Sequence, residues 1–294
     1  MFAGHKKNHL KFAVPVFLVI SLTAWSSAIA WDECTVGLYF DLYKAVVGVR
    51  LLTPCEPPDF SPDDAYDFQE SFVTRFEDPL VGYKLALTWG KGFNATEPIY
   101  GRLFSSMLRE NKGSIYLSDF VKPMLELEIA YIFGDDVSYP VTLADLQAAV
   151  DKVAPAVELP DVLFKDLADR DWKDLIALDV APRRVIIGKV MDPDEVDVNT
   201  IAVAAVHKGQ IVAEGVATNN MWGDQWDALL FLVKNLDSRG YQIKAGDFVI
   251  TGAMNSLAFI ERGNYRVDYG DFGTIKFKVK SRKRWNPAFF QRWR

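Results

Sequence analysis

The sequence predicts an α+β fold, in which strands outnumber helices and the two kinds of element follow each other irregularly. Short runs alternate apolar and polar residues, which is typical of strands with one buried face. A few longer stretches have the 3.6-residue apolar spacing of helices. Strands and helices do not alternate regularly, as they would in a parallel βαβ protein. Half of the 294 residues are hydrophobic, which is enough for one large core.

The elements are predicted from apolar spacing and from the turn residues between them. Ser61 or Asp63 can cap the second helix, Thr142 can cap the third, and residues 207–210 can close a hairpin. Helices are predicted at 39–51, 63–76, 142–153 and 226–236. Strands are predicted at 81–88, 125–133, 185–188, 200–206, 211–216, 248–252, 265–269 and 274–279. No internal repeat or linker divides the chain, so one main domain is expected.

The first 30 residues have the pattern of a secretory signal peptide. A basic start with Lys6, Lys7 and Lys11 precedes an apolar stretch over 12–25 and the small-residue site Ala28-Ile29-Ala30. Cleavage before Trp31 would give a periplasmic or secreted protein; a retained signal anchor is the alternative. In an oxidising compartment Cys34 and Cys55 are expected to form a disulfide, with two buried free thiols as the other possibility.

Charge is unevenly distributed along the chain. The net charge is −6, and removal of the three signal lysines would take it to −9, which argues against a nucleic-acid partner. The segment 276–294 nevertheless holds eight basic residues and no acidic one, with Trp285, Phe289, Phe290 and Trp293 between them. Such a tail is compatible with peripheral contact with an anionic membrane, or with a last strand followed by a solvated tail or a subunit contact.

Glu126 and Glu128 are unusual because they lie in an apolar run predicted as a strand. Alternate residues of a strand share one face, roughly 6.5–7 Å apart. Two carboxylates that close, among Leu, Ile and Phe, resist burial unless a cation or a proton compensates them. A hard divalent metal is one interpretation, and a solvated sheet face is the other.

Several short motifs, taken in their order, resemble the 2-keto-4-pentenoate hydratase group of the fumarylacetoacetate hydrolase superfamily, which includes oxo-acid decarboxylases. The resemblance covers residues 64–279, and its motifs are at 64–69, 81–88, 98–104, 123–130, 155–158 and 245–252. It implies a mixed β-sheet roll of the C-terminal-domain type with flanking helices. The expected domains are a signal peptide at 1–30, a helical segment at 31–62, a catalytic domain at 63–280 and a basic aromatic tail at 281–294.

The resemblance also implies a site. Glu126, Glu128 and Glu158 match the family's ligands for a divalent metal, and their oxygens suit Mg²⁺ or Mn²⁺. Lys84 matches a lysine near the substrate, where burial would lower its pKa and fit it for proton transfer or for anion binding. Tyr100, Gly101 and Thr251 lie in motifs that contact the substrate, a small carboxylic acid. Family analogy further implies a homo-oligomer.

Three departures affect the acid/base chemistry that the family uses. Ile99 replaces an aspartate before the aromatic-glycine pair, Val162-Leu163 replaces Ser-Arg, and Leu178-Asp179 replaces Asp-Asn. Asp161 or Asp179 is a candidate to take over a lost role. Two interpretations follow: a metal-dependent hydratase or decarboxylase that stabilises the enolate of a 2-oxo or 2-hydroxydienoic acid, or a binding protein for a small carboxylic acid that has lost turnover. A structural or surface protein with a vestigial metal site is a third possibility.

Overall fold

A computed structural model of the chain describes residues 61–74, 76–89, 92–164 and 171–281. Its helices are α1 (Pro62–Val73), α2 (Leu143–Ala149), α3 (Trp172–Ala177) and α4 (Gln225–Ser238). Its strands are β1 (Leu80–Ala86), β2 (Ile99–Phe104), β3 (Leu108–Arg109), β4 (Ser114–Tyr116), β5 (Glu126–Phe133), β6 (Val150–Leu159), β7 (Arg184–Ile187), β8 (Ala202–His207), β9 (Gln210–Val216), β10 (Phe248–Ile250), β11 (Gly263–Asp268) and β12 (Thr274–Lys280). The predicted α+β class is confirmed.

Four expectations concern residues outside these ranges. They are the signal peptide, the helix at 39–51, the Cys34–Cys55 disulfide and the basic tail beyond residue 281. Each stays a prediction.

The strands form two mixed sheets. The first has seven strands in the order β2-β1-β10-β5-β6-β7-β3, and the second has five in the order β4-β12-β11-β8-β9. Most neighbours are antiparallel, but β1 pairs parallel with β10, which brings the chain near residue 84 beside the chain near residue 250. The centre of the first sheet therefore combines segments that are distant in sequence.

The main core fills the space between the two sheets and helix α4. Alternate residues of β5, such as Leu127, Ile129 and Tyr131, point into it and meet Val267 and Phe277 of the second sheet. The same alternation turns Glu126, Glu128 and Ala130 to the opposite face of the first sheet. This second face carries the candidate site.

Helices α1 and α3 pack together and cover part of that second face. Phe68 of α1 and Ile176 of α3 are fully buried against Ile99 of β2. Ile99, where the resemblance would place an aspartate, is thus a side chain of an apolar core.

The predicted helix at 142–153 is too long. Thr142 caps it as expected, through a capping box with Asp145, but the helix ends at Ala149. Residues from Val150 onwards form strand β6, since Val153 and its neighbours pair with β5 along eight positions. Tertiary pairing here overrides the local helical spacing, and this strand carries Glu158.

The predicted hairpin between β8 and β9 is confirmed. His207 pairs with Gln210, and the two turn residues, Lys208 and Gly209, both have positive φ. Within the described ranges, no helix combines the length and the apolar character needed to cross a membrane.

Candidate metal centre

Three glutamates come together on the helix-covered face of the first sheet. Each of Glu126, Glu128 and Glu158 offers a carboxylate oxygen, and these oxygens lie within 4.8 Å of one another. Glu128 and Glu158 are fully buried, whereas the side chain of Glu126 is 19% exposed. The predicted ligand set is therefore a cluster, open to solvent on the side of Glu126.

Strand register produces this cluster. Glu126 and Glu128 share a face because they are two residues apart on β5. Glu158 of β6 lies directly opposite Glu126, and small residues, Ala130 and Ala156, occupy the neighbouring positions on the same face. The alanines leave room between the carboxylates and the layer above the sheet.

Lys84 projects into the same cluster from β1. Its Nζ lies 2.6 Å from both carboxylate oxygens of Glu158 and 3.8 Å from Glu126 Oε2, and it donates a hydrogen bond of 3.2 Å to the carbonyl of Val180. When all three carboxylates are ionised, they and the ammonium group carry a formal charge of −2. A divalent cation would balance this charge.

The electrostatics differ in one respect from the sequence-based expectation. Burial by itself lowers the pKa of Lys84, but the three carboxylates, Glu158 foremost, raise it above its ordinary value. Burial also raises the pKa of Glu158 to about 8, against the lowering effect of Lys84, and raises that of Glu128 together with the neighbouring carboxylates. Lys84 therefore stays protonated. Its single positive charge does not balance the three carboxylates, so the pKa values of Glu128 and Glu158 remain above their ordinary values.

The donor set fits a hard divalent metal. Glu128 Oε2 accepts a hydrogen bond of 2.8 Å from the backbone N–H of Gly252, but the buried Oε1 has no hydrogen-bond partner in the described part of the chain. A buried oxygen without a partner costs free energy unless a ligand satisfies it. All three candidate ligands are carboxylates, which suit Mg²⁺ or Mn²⁺.

The segment from Leu178 to Ala181 crosses over β2 beside the cluster. Gly101, which is paired with Lys84, permits this close approach, because a Cβ there would lie 2.2 Å from the carbonyl oxygen of Asp179. Asp179, Val180 and Ala181 all have φ near +55°. Such strain in three successive non-glycine residues is characteristic of functional sites, and here it aims the Val180 carbonyl at Lys84.

The two candidate aspartates have different roles. Both carboxylate oxygens of Asp161 accept backbone hydrogen bonds from Val121, and one also accepts from Lys122, so this side chain braces a loop. Asp179 is buried, accepts a hydrogen bond of 2.8 Å from the N–H of Arg102, and interacts electrostatically with Lys84. Burial raises the pKa of Asp179 to about 7.

Of the residues predicted to contact the substrate, only some lie next to the glutamate cluster. Gly101 borders it through Lys84, as described. Tyr100 lies on the opposite face of β2, stacked on Tyr66 with ring centroids 4.6 Å apart. Thr251 donates a hydrogen bond of 2.5 Å to Gln225 at the start of α4. Their contact with substrate stays a prediction.

Asn255 supports the centre and was not predicted from the sequence. Its side-chain oxygen accepts from the N–H of Leu127, and its amide donates to the carbonyl of Leu125, so it brackets Glu126. The only sequence signal is a polar residue in an apolar loop, which does not distinguish a buried brace from an exposed asparagine.

Comparison with known proteins relates the chain to a group of enzymes. No model of a known protein family matches the chain. A 2-oxo-hept-4-ene-1,7-dioate hydratase from Escherichia coli is 28% identical over 233 residues, covering 74% of this chain and 86% of that enzyme. A 4-oxalocrotonate decarboxylase from Pseudomonas putida is 29% identical over 227 residues, covering 74% and 85%.

Solved structures show the same fold. The 4-oxalocrotonate decarboxylase from Pseudomonas putida G7, complexed with magnesium and adipate, superposes with a TM-score of 0.78 at 27% identity, covering 83% of this chain and 96% of that one. A fumarylpyruvate hydrolase from Pseudomonas aeruginosa gives a TM-score of 0.53 at 14% identity, covering 69% and 91%. The fold is of the fumarylacetoacetate hydrolase C-terminal-domain type, and the relatives of this chain are hydratases and decarboxylases.

Proposed function

We propose that the protein is a divalent-metal-dependent lyase, a hydratase or decarboxylase, that acts on a small 2-oxo or 2-hydroxydienoic acid. The observation that carries the proposal is the arrangement of Lys84 among Glu126, Glu128 and Glu158, with a formal charge of −2 and a buried oxygen without a partner. Relatives that are hydratases and decarboxylases, one of them solved with magnesium and adipate, support it.

Mg²⁺ or Mn²⁺ held by the three glutamates would act as a Lewis acid toward the oxo group of a chelating acid. The chain itself supplies charge and position. Lys84 carries a proton beside the carboxylates, and it is fixed by Glu158 and by the Val180 carbonyl. A fixed ammonium group can hold the substrate carboxylate or deliver a proton to an adjacent atom.

Asp179 is our candidate for the second acid/base group, in place of the aspartate that Ile99 replaces. It is buried near Lys84, and a pKa of about 7 lets its carboxyl group exchange a proton near neutral pH. Asp161 is not available, because its carboxylate is engaged by the backbone of residues 121 and 122.

The test uses the full chain, Mg²⁺ or Mn²⁺, and a panel of 2-oxo and 2-hydroxydienoic acids. Loss of dienoate absorbance reports hydration, and release of CO₂ reports decarboxylation. We expect turnover of at least one acid, lost with chelator and in Glu128→Gln but kept in Glu214→Gln, which changes an exposed glutamate of β9. If the protein binds Mn²⁺ and an acid tightly but forms no product, it is a carboxylic-acid binding protein and not a lyase.

The signal-like N-terminus supports a second proposal, that the enzyme is exported and carries a Cys34–Cys55 disulfide. Mass spectrometry of the protein purified from its own host should find Trp31 as the first residue and no free thiol. A first residue before position 31, or two titratable thiols, would contradict it.

We also propose that the protein is a homo-oligomer, by analogy with the resembled enzymes. Light scattering coupled to gel filtration measures the mass directly. A mass near 33 kDa or below would show a monomer.

A further inference from the structure

The outer face of the second sheet is basic around strand β12, although the chain as a whole is acidic. Strand β12 alternates between core residues and lysines, so that Ile275, Phe277 and Val279 are buried while Lys276 and Lys278 are exposed and Lys280 is partly exposed. The exposed residues Lys112, Lys208, Arg262 and Arg266 surround this row. We call these seven residues the basic face.

Two adjoining depressions lie on the basic face, and no acidic residue lines either of them. They share Lys208 and Lys278, so that they form one continuous surface. Acidic residues occur on the same sheet: Glu261 lies 3.2 Å from Lys208, and Asp268 lies 2.5 Å from Arg266. The strand register also places Glu214 of β9 in the same outward row as Asp268. Most of the positive charge is therefore directed toward solvent.

Strand pairing places like charges opposite each other. Arg266 of β11 is paired directly with Lys276 of β12, and Lys278 follows on the same face two residues later. Directly opposed like charges on neighbouring strands destabilise a sheet. An anionic partner would offset this repulsion, and a row of anions spaced like the lysines would do so best.

The sequence that follows strand β12 is rich in cations and aromatic residues. Ser281, which lines one depression, is followed by a segment with five cations and four large aromatic residues, as noted above. Tryptophan and phenylalanine among cations are typical of segments that lie at a membrane surface. Tyr116 adds an aromatic ring on the sheet itself, 5.6 Å from the Lys280 ammonium group.

We propose that the basic face is a docking surface for anionic lipid headgroups. Each lysine near an anionic bilayer contributes roughly a fivefold increase in partitioning, and salt weakens the contribution. The net charge of −6 disfavours a long nucleic acid, which would meet the acidic remainder of the molecule, whereas a membrane meets one face only.

The experiment is sedimentation of the full chain with vesicles of phosphatidylcholine alone or with about one third phosphatidylglycerol. The difference between the two vesicles isolates the effect of charge from any insertion of the apolar stretch at 12–25. Lys276→Gln/Lys278→Gln changes the basic face and leaves the tail intact. Lys189→Gln/Lys234→Gln changes two exposed lysines elsewhere and is the matched control.

We expect the first double variant to partition onto anionic vesicles roughly 25-fold more weakly than the wild type, and the control to match the wild type. Unchanged Mn²⁺ affinity would show that both variants are folded. Equal binding of both double variants would assign any membrane contact to the tail and overturn the proposal. Equal binding of the wild type to both kinds of vesicle would also overturn it. So would a first double variant that binds vesicles like the wild type but binds duplex DNA more weakly.

Discussion

Strands β5 and β12 carry the same kind of pattern, with charged residues at alternate positions between apolar ones, yet their charges differ in environment. Glu126 and Glu128 of β5 lie under helices and loops beside Lys84. The lysines of β12 point outward, and Lys276 and Lys278 are exposed in the described part of the chain. The comparison shows that alternation identifies a charged face, whereas the elements packed above that face decide whether its charges attract an ion into the fold or a partner from outside.

Removal of a cation from the two faces should have very different effects. Lys84→Met leaves Glu158 without its ion pair in a buried site, so we expect the metal-free protein to lose about 4 kcal/mol of unfolding free energy. Lys278→Met removes an exposed charge and should change it by less than about 0.5 kcal/mol. Urea denaturation in the presence of chelator measures both.

Saturating Mn²⁺ sharpens this comparison. If the metal occupies the glutamate cluster, it should restore stability to Lys84→Met, because a ligand that binds only the folded state stabilises it. Similar losses for the two lysine variants without metal would show that the cluster around Lys84 is not a separate, buried electrostatic unit.

Two glycines give the second comparison. Gly101→Ala places a methyl group against the Asp179 carbonyl near the metal centre, and we expect a loss of about 3 kcal/mol, as for overpacked sites. Gly209→Ala, in the hairpin by the basic face, meets no atom within 4 Å but has a φ of 81°, so about 1 kcal/mol is expected. Thermal or urea unfolding separates the two, and an equal cost would argue against the close crossing at Gly101.

The third prediction concerns pH. The pKa of Asp179 is about 7 in the fold against an ordinary value of 3.8, so the folded protein binds more protons than the unfolded chain between these values. The protonated carboxyl group of Asp179 therefore stabilises the fold fully below pH 3.8, and this stabilisation is lost as the pH rises through 7. Asp179→Asn keeps an acceptor for the Arg102 N–H but removes this loss.

Relative to the wild type, Asp179→Asn should therefore gain about 3 kcal/mol of unfolding free energy between pH 5 and pH 8. Asp161→Asn provides the comparison. Burial raises the pKa of Asp161 too, but backbone hydrogen bonds offset part of this rise, so its pH-dependent gain in unfolding free energy should be smaller. A pH-independent difference between Asp179→Asn and the wild type would show that Asp179 is ionised throughout this range.

The sequence predicted those parts of the fold and site that depend on local patterns or on motifs. The Glu126–Glu128 pair was visible because alternation on one strand is local, and the resemblance added Glu158 and Lys84, which the structure brings together. Strand β6 was not predicted, since residues 150–153 continue the spacing of the preceding helix and Pro155 is unusual inside a strand.

Backbone groups of the site could not be predicted. The Val180 carbonyl and the Gly252 N–H act through chain geometry, and no residue type marks a carbonyl that will accept from a lysine. The direction of the pKa shift of Lys84 also required the structure, because burial and the attraction of three carboxylates oppose each other and only their distances decide the result.

The position of β10 has a consequence for how the protein is made. Lys84 and Glu128 lie on strands that are not neighbours, and Phe248–Ile250 forms the strand between them. A ribosome that has released only the first 240 residues has therefore already produced every glutamate of the cluster, but not the strand that joins it to Lys84. The chain can therefore complete the candidate metal centre only after β10 has been made, when the seven-stranded sheet can close between the glutamates and Lys84.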